Sequence, residues 1–122
     1  MLYRRDEAFR FTFGTPIEGT FRILSSDGIK GISKEGRAFI LDLSPNGIKF
    51  SSPLDLPIKE NQFLVEVSFT LNKKTIFMLT KPKWKKRISP TSFAYGVVGL
   101  DNEETKKEVI EELKEYTRRT KS

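Results

Sequence analysis

The 122-residue chain contains no cysteine and no histidine. Their absence removes disulfides, thiol nucleophiles, thiolate zinc sites and the imidazole general base together. It also lacks a phosphate-cradling glycine loop, and no Asp/Glu cluster has the spacing of a calcium loop. Catalysis is not expected on these grounds, and neither is a metal or a cofactor. No apolar run approaches the length that spans a bilayer, and the opening residues Met1 to Glu7 hold no apolar signal-like segment. The expectation is a cytoplasmic protein without membrane insertion.

What is present points to a folded globule. Ten phenylalanines and 37% apolar residues are enough for a core in a chain of one-domain length. The net charge of +6 is unevenly spread. Residues 1 to 100 carry 16 basic and 9 acidic side chains, whereas residues 101 to 115 carry 3 basic and 7 acidic. A basic body favours an anionic partner, although surplus lysine also serves solubility alone.

Most of the chain alternates with period two, the signature of half-buried strands. Ile17, Gly19, Phe21 and Ile23 form one apolar set, and Phe39, Leu41 and Leu43 form another. A weak strand is read over Gly28 to Ser33, after the Asp27-Gly28 turn and before a break at Lys34-Glu35-Gly36. Ile48 and Phe50 make a short strand, and Pro53 and Pro57 keep the next stretch out of a ladder. The clearest strand is Phe63 to Leu71. A long one follows from Lys74 to about Ile88, and another runs from Phe93 to Leu100. Phe21, Phe39, Phe63, Phe69 and Phe77 are the expected aromatic core. From Asp101 to Arg119 the period changes to a helix, capped by Asp101 with Glu104, with an apolar stripe of Val109, Ile110, Leu113 and Tyr116. Glu103 with Lys107 and Glu115 with Arg119 are expected as i,i+4 pairs. The pattern predicts about six antiparallel strands in a small barrel or sandwich, with one helix covering an opening or an edge.

Two clusters carry chemistry. At the turn Asp42-Leu43-Ser44-Pro45-Asn46-Gly47, a carboxylate, a hydroxyl and a bare backbone position meet where two strands reverse. Such turns often only reverse the chain, but this one follows an arm bearing Arg4, Arg5 and Arg10. The second cluster is Lys81-Pro82-Lys83-Trp84-Lys85-Lys86-Arg87. On a regular strand the cations at 81, 83, 85 and 87 face away from Trp84. A nucleic-acid platform needs its aromatic beside its cations, so Trp84 reads as a core or rim residue and nucleic acid is disfavoured. Phe9, Phe11 and Phe13 flank the arginines and are expected to pin the arm to the body.

The Asp-x-Ser-x-x-Gly motif at Asp42, Ser44 and Gly47, the N-terminal arginines, the β-meander and the closing helix resemble a PilZ domain. The strand carrying Trp84 and the run Ala94-Tyr95-Gly96-Val97 fit that layout, and the resemblance covers essentially the whole chain. It implies a mainly β fold, a six-stranded antiparallel β-barrel with a C-terminal helix. The implied division is a 1–15 arm, a 16–100 barrel and a 101–119 helix. The implied ligand is cyclic di-GMP, a bacterial second messenger with two guanines and two phosphates, bound by Arg4, Arg5, Arg10, Asp42, Ser44 and Gly47. A protein effector is the implied further partner. One feature departs from the family, whose two arginines have three residues between them, whereas Arg5 and Arg10 have four. Two rival readings therefore stand beside the receptor: a degenerate adaptor that binds a protein without nucleotide, and a basic nucleic-acid-binding β-domain.

Overall fold

The computed structural model describes residues 10–25, 35–58, 63–100 and 102–120. The strand read over Gly28 to Ser33 and the helix cap read at Asp101 lie outside them, as do Arg4, Arg5 and Phe9. Six strands are described: β1 (Phe11–Ser25), β2 (Glu35–Ser44), β3 (Gly47–Ser52), β4 (Phe63–Thr70), β5 (Thr75–Ser89) and β6 (Ser92–Gly99). They are followed by helix α1 (Glu103–Thr120). The strands close on themselves in the order β1-β2-β3-β6-β5-β4, each antiparallel to its neighbours, although β1 before Thr20 has no β4 partner and β5 after Thr80 pairs with β6 alone. β1 begins at Phe11, so the arm expected over 1–15 overlaps it at residues 11–15.

The alternation in β4 sets the inside of the ring. Phe63, Val65, Val67 and Phe69 are buried, and across the ladder Phe69, Val67 and Val65 meet Ile76, Met78 and Thr80 of β5. These partners must also point inward, and the intervening Phe77 therefore points out. It is 58% exposed and is not the core residue that its aromatic character had indicated. Thr80 is fully buried and satisfies its hydroxyl by donating to the Val65 carbonyl at 2.7 Å.

A bulge corrects the reading of β2. Ile40 pairs with Phe50 while Asp42 pairs with Lys49, leaving Leu41 as an extra residue. Ala38, Ile40 and Leu43 are buried, whereas Phe39 and Leu41 are only half-buried. The core aromatics are instead Phe13, Phe21, Phe50, Phe63, Phe69, Phe93 and Tyr95. Phe21, Phe50 and Tyr95 form a chain of tilted rings, with centroids 5.6 and 5.4 Å apart. Gly36, expected at a break, lies within β2 opposite Phe21, and it is glycine for want of room: a Cβ there would come within 2.8 Å of the Phe21 ring.

Helix α1 is capped by Asn102, whose Oδ1 accepts from the Thr105 amide at 3.0 Å. Val109 and Leu113 are buried against the ring, as the stripe predicted. Tyr116 meets Phe11 and Phe13 edge-on at 5.9 and 5.5 Å, a cluster that pins the start of β1 as expected. The helix charges pair at i,i+3, Lys106 with Glu103 and Arg118 with Glu115. Arg119 turns to the ring and donates to the Leu71 carbonyl and to Asn72 Oδ1.

Candidate functional site

The bulge at Leu41 restores an outward direction to the two polar residues of the turn. With Leu43 buried, Asp42 and Ser44 both face the outside of the ring. Ladder register then builds a row across five strands: Thr12 on β1, Asp42 on β2, Lys49 on β3, Gly96 on β6 and Trp84 on β5. A second row runs from Ser44 through Gly47 and Val98 to Lys81. Cross-strand neighbours lie about 5 Å apart. A carboxylate, a cation, a bare backbone position and an indole thus fall within one nucleotide's reach.

Trp84 reaches this face through a second bulge. Pro82 pairs with Val97 and Trp84 with Gly96, so Lys83 is the extra residue. Pro82 has no N–H to give to the ladder, and bulges are among the few places a strand tolerates proline. The insertion reverses the facing of everything after it. Trp84 is 42% exposed on the outer face, not in the core, and it lies beside Lys83. The reading that set Trp84 against the neighbouring cations is overturned by this one residue for Lys81 and Lys83, whereas Lys85 and Arg87, paired with the buried Tyr95 and Phe93, still alternate away from it.

The indole lies over Gly96. A Cβ at that position would come within 2.2 Å of the ring atoms Cε2 and Nε1, so only glycine lets the ring sit against the strand. Gly96→Ala is expected to lift the ring off β6. The chain has one tryptophan, so its emission should shift to the red and acrylamide quenching should rise, with little change in far-UV circular dichroism.

The cleft over these rows has a volume of about 410 Å³ and is lined by Arg10, Asp42, Ser44, Gly47, Lys49, Lys83, Trp84 and Gly96, among others. Arg10 Nη1 stands 3.4 Å from Asp42 Oδ2, joining the arginine segment to the turn. The Asp42 side chain is 14% exposed and that of Arg10 is 54% exposed, so the arginine can leave the pair at little cost. Ser44 Oγ donates to the Gly47 carbonyl at 3.4 Å within the turn. Gly47 sits in a tight place: a Cβ would lie 3.0 Å from the Val97 carbonyl oxygen, and a side chain there would push on that backbone. The Gly99 amide donates to the Asn46 carbonyl at 2.9 Å and ties the turn to the end of β6.

Of the residues singled out in the sequence, Arg10, Asp42, Ser44 and Gly47 come together, and Arg4 and Arg5 lie outside the described residues. The sequence reading did not join Lys49, Lys83, Trp84 and Gly96 to the turn; Lys83 and Trp84 stood there in a separate cluster, set on opposite faces of their strand. Proline within a strand at 82 and glycine within a strand at 96 were the available signals. Among the described residues no group of three or more acidic side chains gathers as a metal site. No helix among them is long and apolar enough to cross a membrane.

None of the curated proteins matches the chain. Among solved structures it is similar to the PilZ domain with c-di-GMP of YcgR from Escherichia coli, at 11% identity and a TM-score of 0.57, covering 99% of each chain. It is also similar to the Borreliella burgdorferi PlzA protein, crystallised in complex with c-di-GMP, at 14% identity and a TM-score of 0.53. That match covers 91% of this chain and 52% of PlzA. At such identities the likeness concerns the fold: a mainly β structure of six antiparallel strands in a closed ring with a C-terminal helix. The family model for the PilZ domain matches residues 4–117, and the chain belongs to the PilZ domain family.

Proposed function

We propose that this protein is a receptor for cyclic di-GMP, held on the outer face of the ring between the arginine-bearing segment and the Asp42/Ser44/Gly47 turn. The observation that carries the reading is the Asp42 carboxylate standing among Arg10, Lys49 and Lys83. A site built only for phosphate would exclude a carboxylate, which repels anions. A guanine edge offers N–H donors, and an ionised carboxylate is an acceptor-only partner for them. The cations serve the two phosphates, and arginine meets a phosphate or a guanine N7/O6 edge bidentately. The outer face of the Trp84 indole provides a stacking surface, worth about 1–3 kcal/mol per base. Fold likeness to two domains solved with c-di-GMP supports the same ligand.

In this reading Arg4 and Arg5 supply further cations from the segment before Arg10. Ligand binding draws that segment onto the cleft, and the altered surface is what a partner protein reads. The protein acts by binding rather than by catalysis.

Trp84 supplies the test. Cyclic di-GMP should quench its fluorescence saturably, and Trp84→Phe should keep most of the affinity while Trp84→Ala loses about tenfold. A titration that leaves the emission unchanged would exclude the indole as the stacking surface. Quenching by oligonucleotides but not by cyclic di-GMP would favour the nucleic-acid reading.

A further inference from the structure

A second groove opens on the far side of Trp84, between β5 and the segment after β3. Its volume is about 580 Å³, and it shares Lys83 and Trp84 with the first cleft. Pro57, Ile58, Pro82 and Phe93 give it apolar walls. Its charges are of one sign, since Lys83, Lys85 and Arg87 line it and no carboxylate does among the described residues. Of these three, only Lys85 has an acidic partner among the described residues, Asp55. Lys85 also donates to the Leu56 carbonyl at 2.9 Å, and Tyr95 donates to the Leu54 carbonyl and accepts from the Leu56 amide. These bonds fix the wall of the groove to the ring before anything binds.

We infer that this groove is the effector-docking surface and that it takes an acidic peptide segment of a partner protein, anchored by an apolar side chain. The inference rests on the reading of the protein as a receptor that signals to a protein. Charge complementarity selects an acidic occupant, and the apolar walls select a side-chain anchor over a sugar-phosphate chain. A nucleic acid would need a free aromatic face within the groove. The Phe93 ring offers none, since it is buried beneath Lys85 Nζ and the Arg87 guanidinium, 5.0 and 4.8 Å from its centroid, which leaves Trp84, shared with the first cleft, as the one aromatic among the described lining residues that a base could reach. Lys83 and Trp84 border both clefts, so a base stacked on Trp84 repositions two residues that the peptide also touches. That shared wall couples the two ligands, and the coupling is reciprocal.

The test uses fluorescence anisotropy on the full chain at near-physiological salt. The probe is a short fluorescein-labelled peptide with a central Leu-Phe pair flanked by Glu and Asp. Its twin carries Lys at every acidic position. The acidic probe should bind saturably and the twin should not. Arg87→Glu should weaken the probe by about tenfold or more, with Arg87→Gln intermediate, and should change cyclic di-GMP affinity by less than about threefold. Saturating cyclic di-GMP should shift the probe's affinity by about fivefold. Loss of cyclic di-GMP binding with peptide binding intact would overturn the receptor reading and leave the groove assigned. No binding of the acidic probe, equal binding of its twin, or Arg87-dependent binding of oligothymidylate in its place would overturn the groove assignment.

Discussion

Asp42→Ala is expected to lower cyclic di-GMP affinity by about 100-fold, while Ser44→Ala lowers it only a few-fold. Truncating one partner of a desolvated, charged hydrogen bond typically costs 2–5 kcal/mol, and 100-fold corresponds to about 2.7 kcal/mol. The sign of the effect discriminates between mechanisms. If the cleft recognised only phosphate, deleting a carboxylate beside Arg10 and Lys49 would strengthen binding, because the anion would lose a repelling neighbour. If Asp42 accepts from guanine, the deletion weakens it. Stability should hardly change, since the described partner of Asp42 is the half-exposed Arg10 at 3.4 Å and such pairs contribute about 0–1 kcal/mol. Calorimetric titration of both variants, with thermal unfolding as the folding control, measures each part.

Phe50→Ala should destabilise the protein by about 3–5 kcal/mol, the usual range for deleting a buried phenylalanine. Phe50 is fully buried and joins the rings of Phe21 and Tyr95, so its loss opens the middle of the core. It sits on β3, between the strands that carry Asp42 and Gly96, and the cavity would loosen both sides of the cleft. A single-domain protein has roughly 5–15 kcal/mol in all, so this variant should lie near its unfolding limit. Phe77→Ala is the matched control, because 58% of Phe77 is exposed and surface truncations usually stay within about 0.5 kcal/mol. Urea midpoints at constant slope would separate the two. Equal losses would contradict the inward facing assigned to β5.

How far the sequence discloses this molecule depends on where its strands stay regular. β4 reads correctly because Phe63, Val65, Val67 and Phe69 alternate without interruption. The motif at Asp42, Ser44 and Gly47 is legible because the turn that holds it is local. The other half of the cleft is not local. Lys49, Gly96 and Trp84 join Asp42 only through the register of three ladders. Each of two bulges, at Leu41 and Lys83, adds one residue that reverses side-chain facing downstream. Periodicity carried through those residues places Trp84 inside and Leu41 in the core, and both placements fail for the same reason. Phe77 misleads differently: hydrophobicity argues for the interior, but the pairing of β4 with β5 gives the inward positions to Ile76 and Met78. The helix is capped by Asn102, and the cap read at Asp101 falls on a residue outside the described ones.

The most direct measurement is calorimetric titration of the wild-type chain with cyclic di-GMP, with GMP as the competitor. The account predicts saturable heat at micromolar ligand or below, because two phosphates and two guanines engage the cleft together, and it predicts that GMP competes only weakly. No heat at tens of micromolar cyclic di-GMP, or equal affinity for GMP, would contradict it.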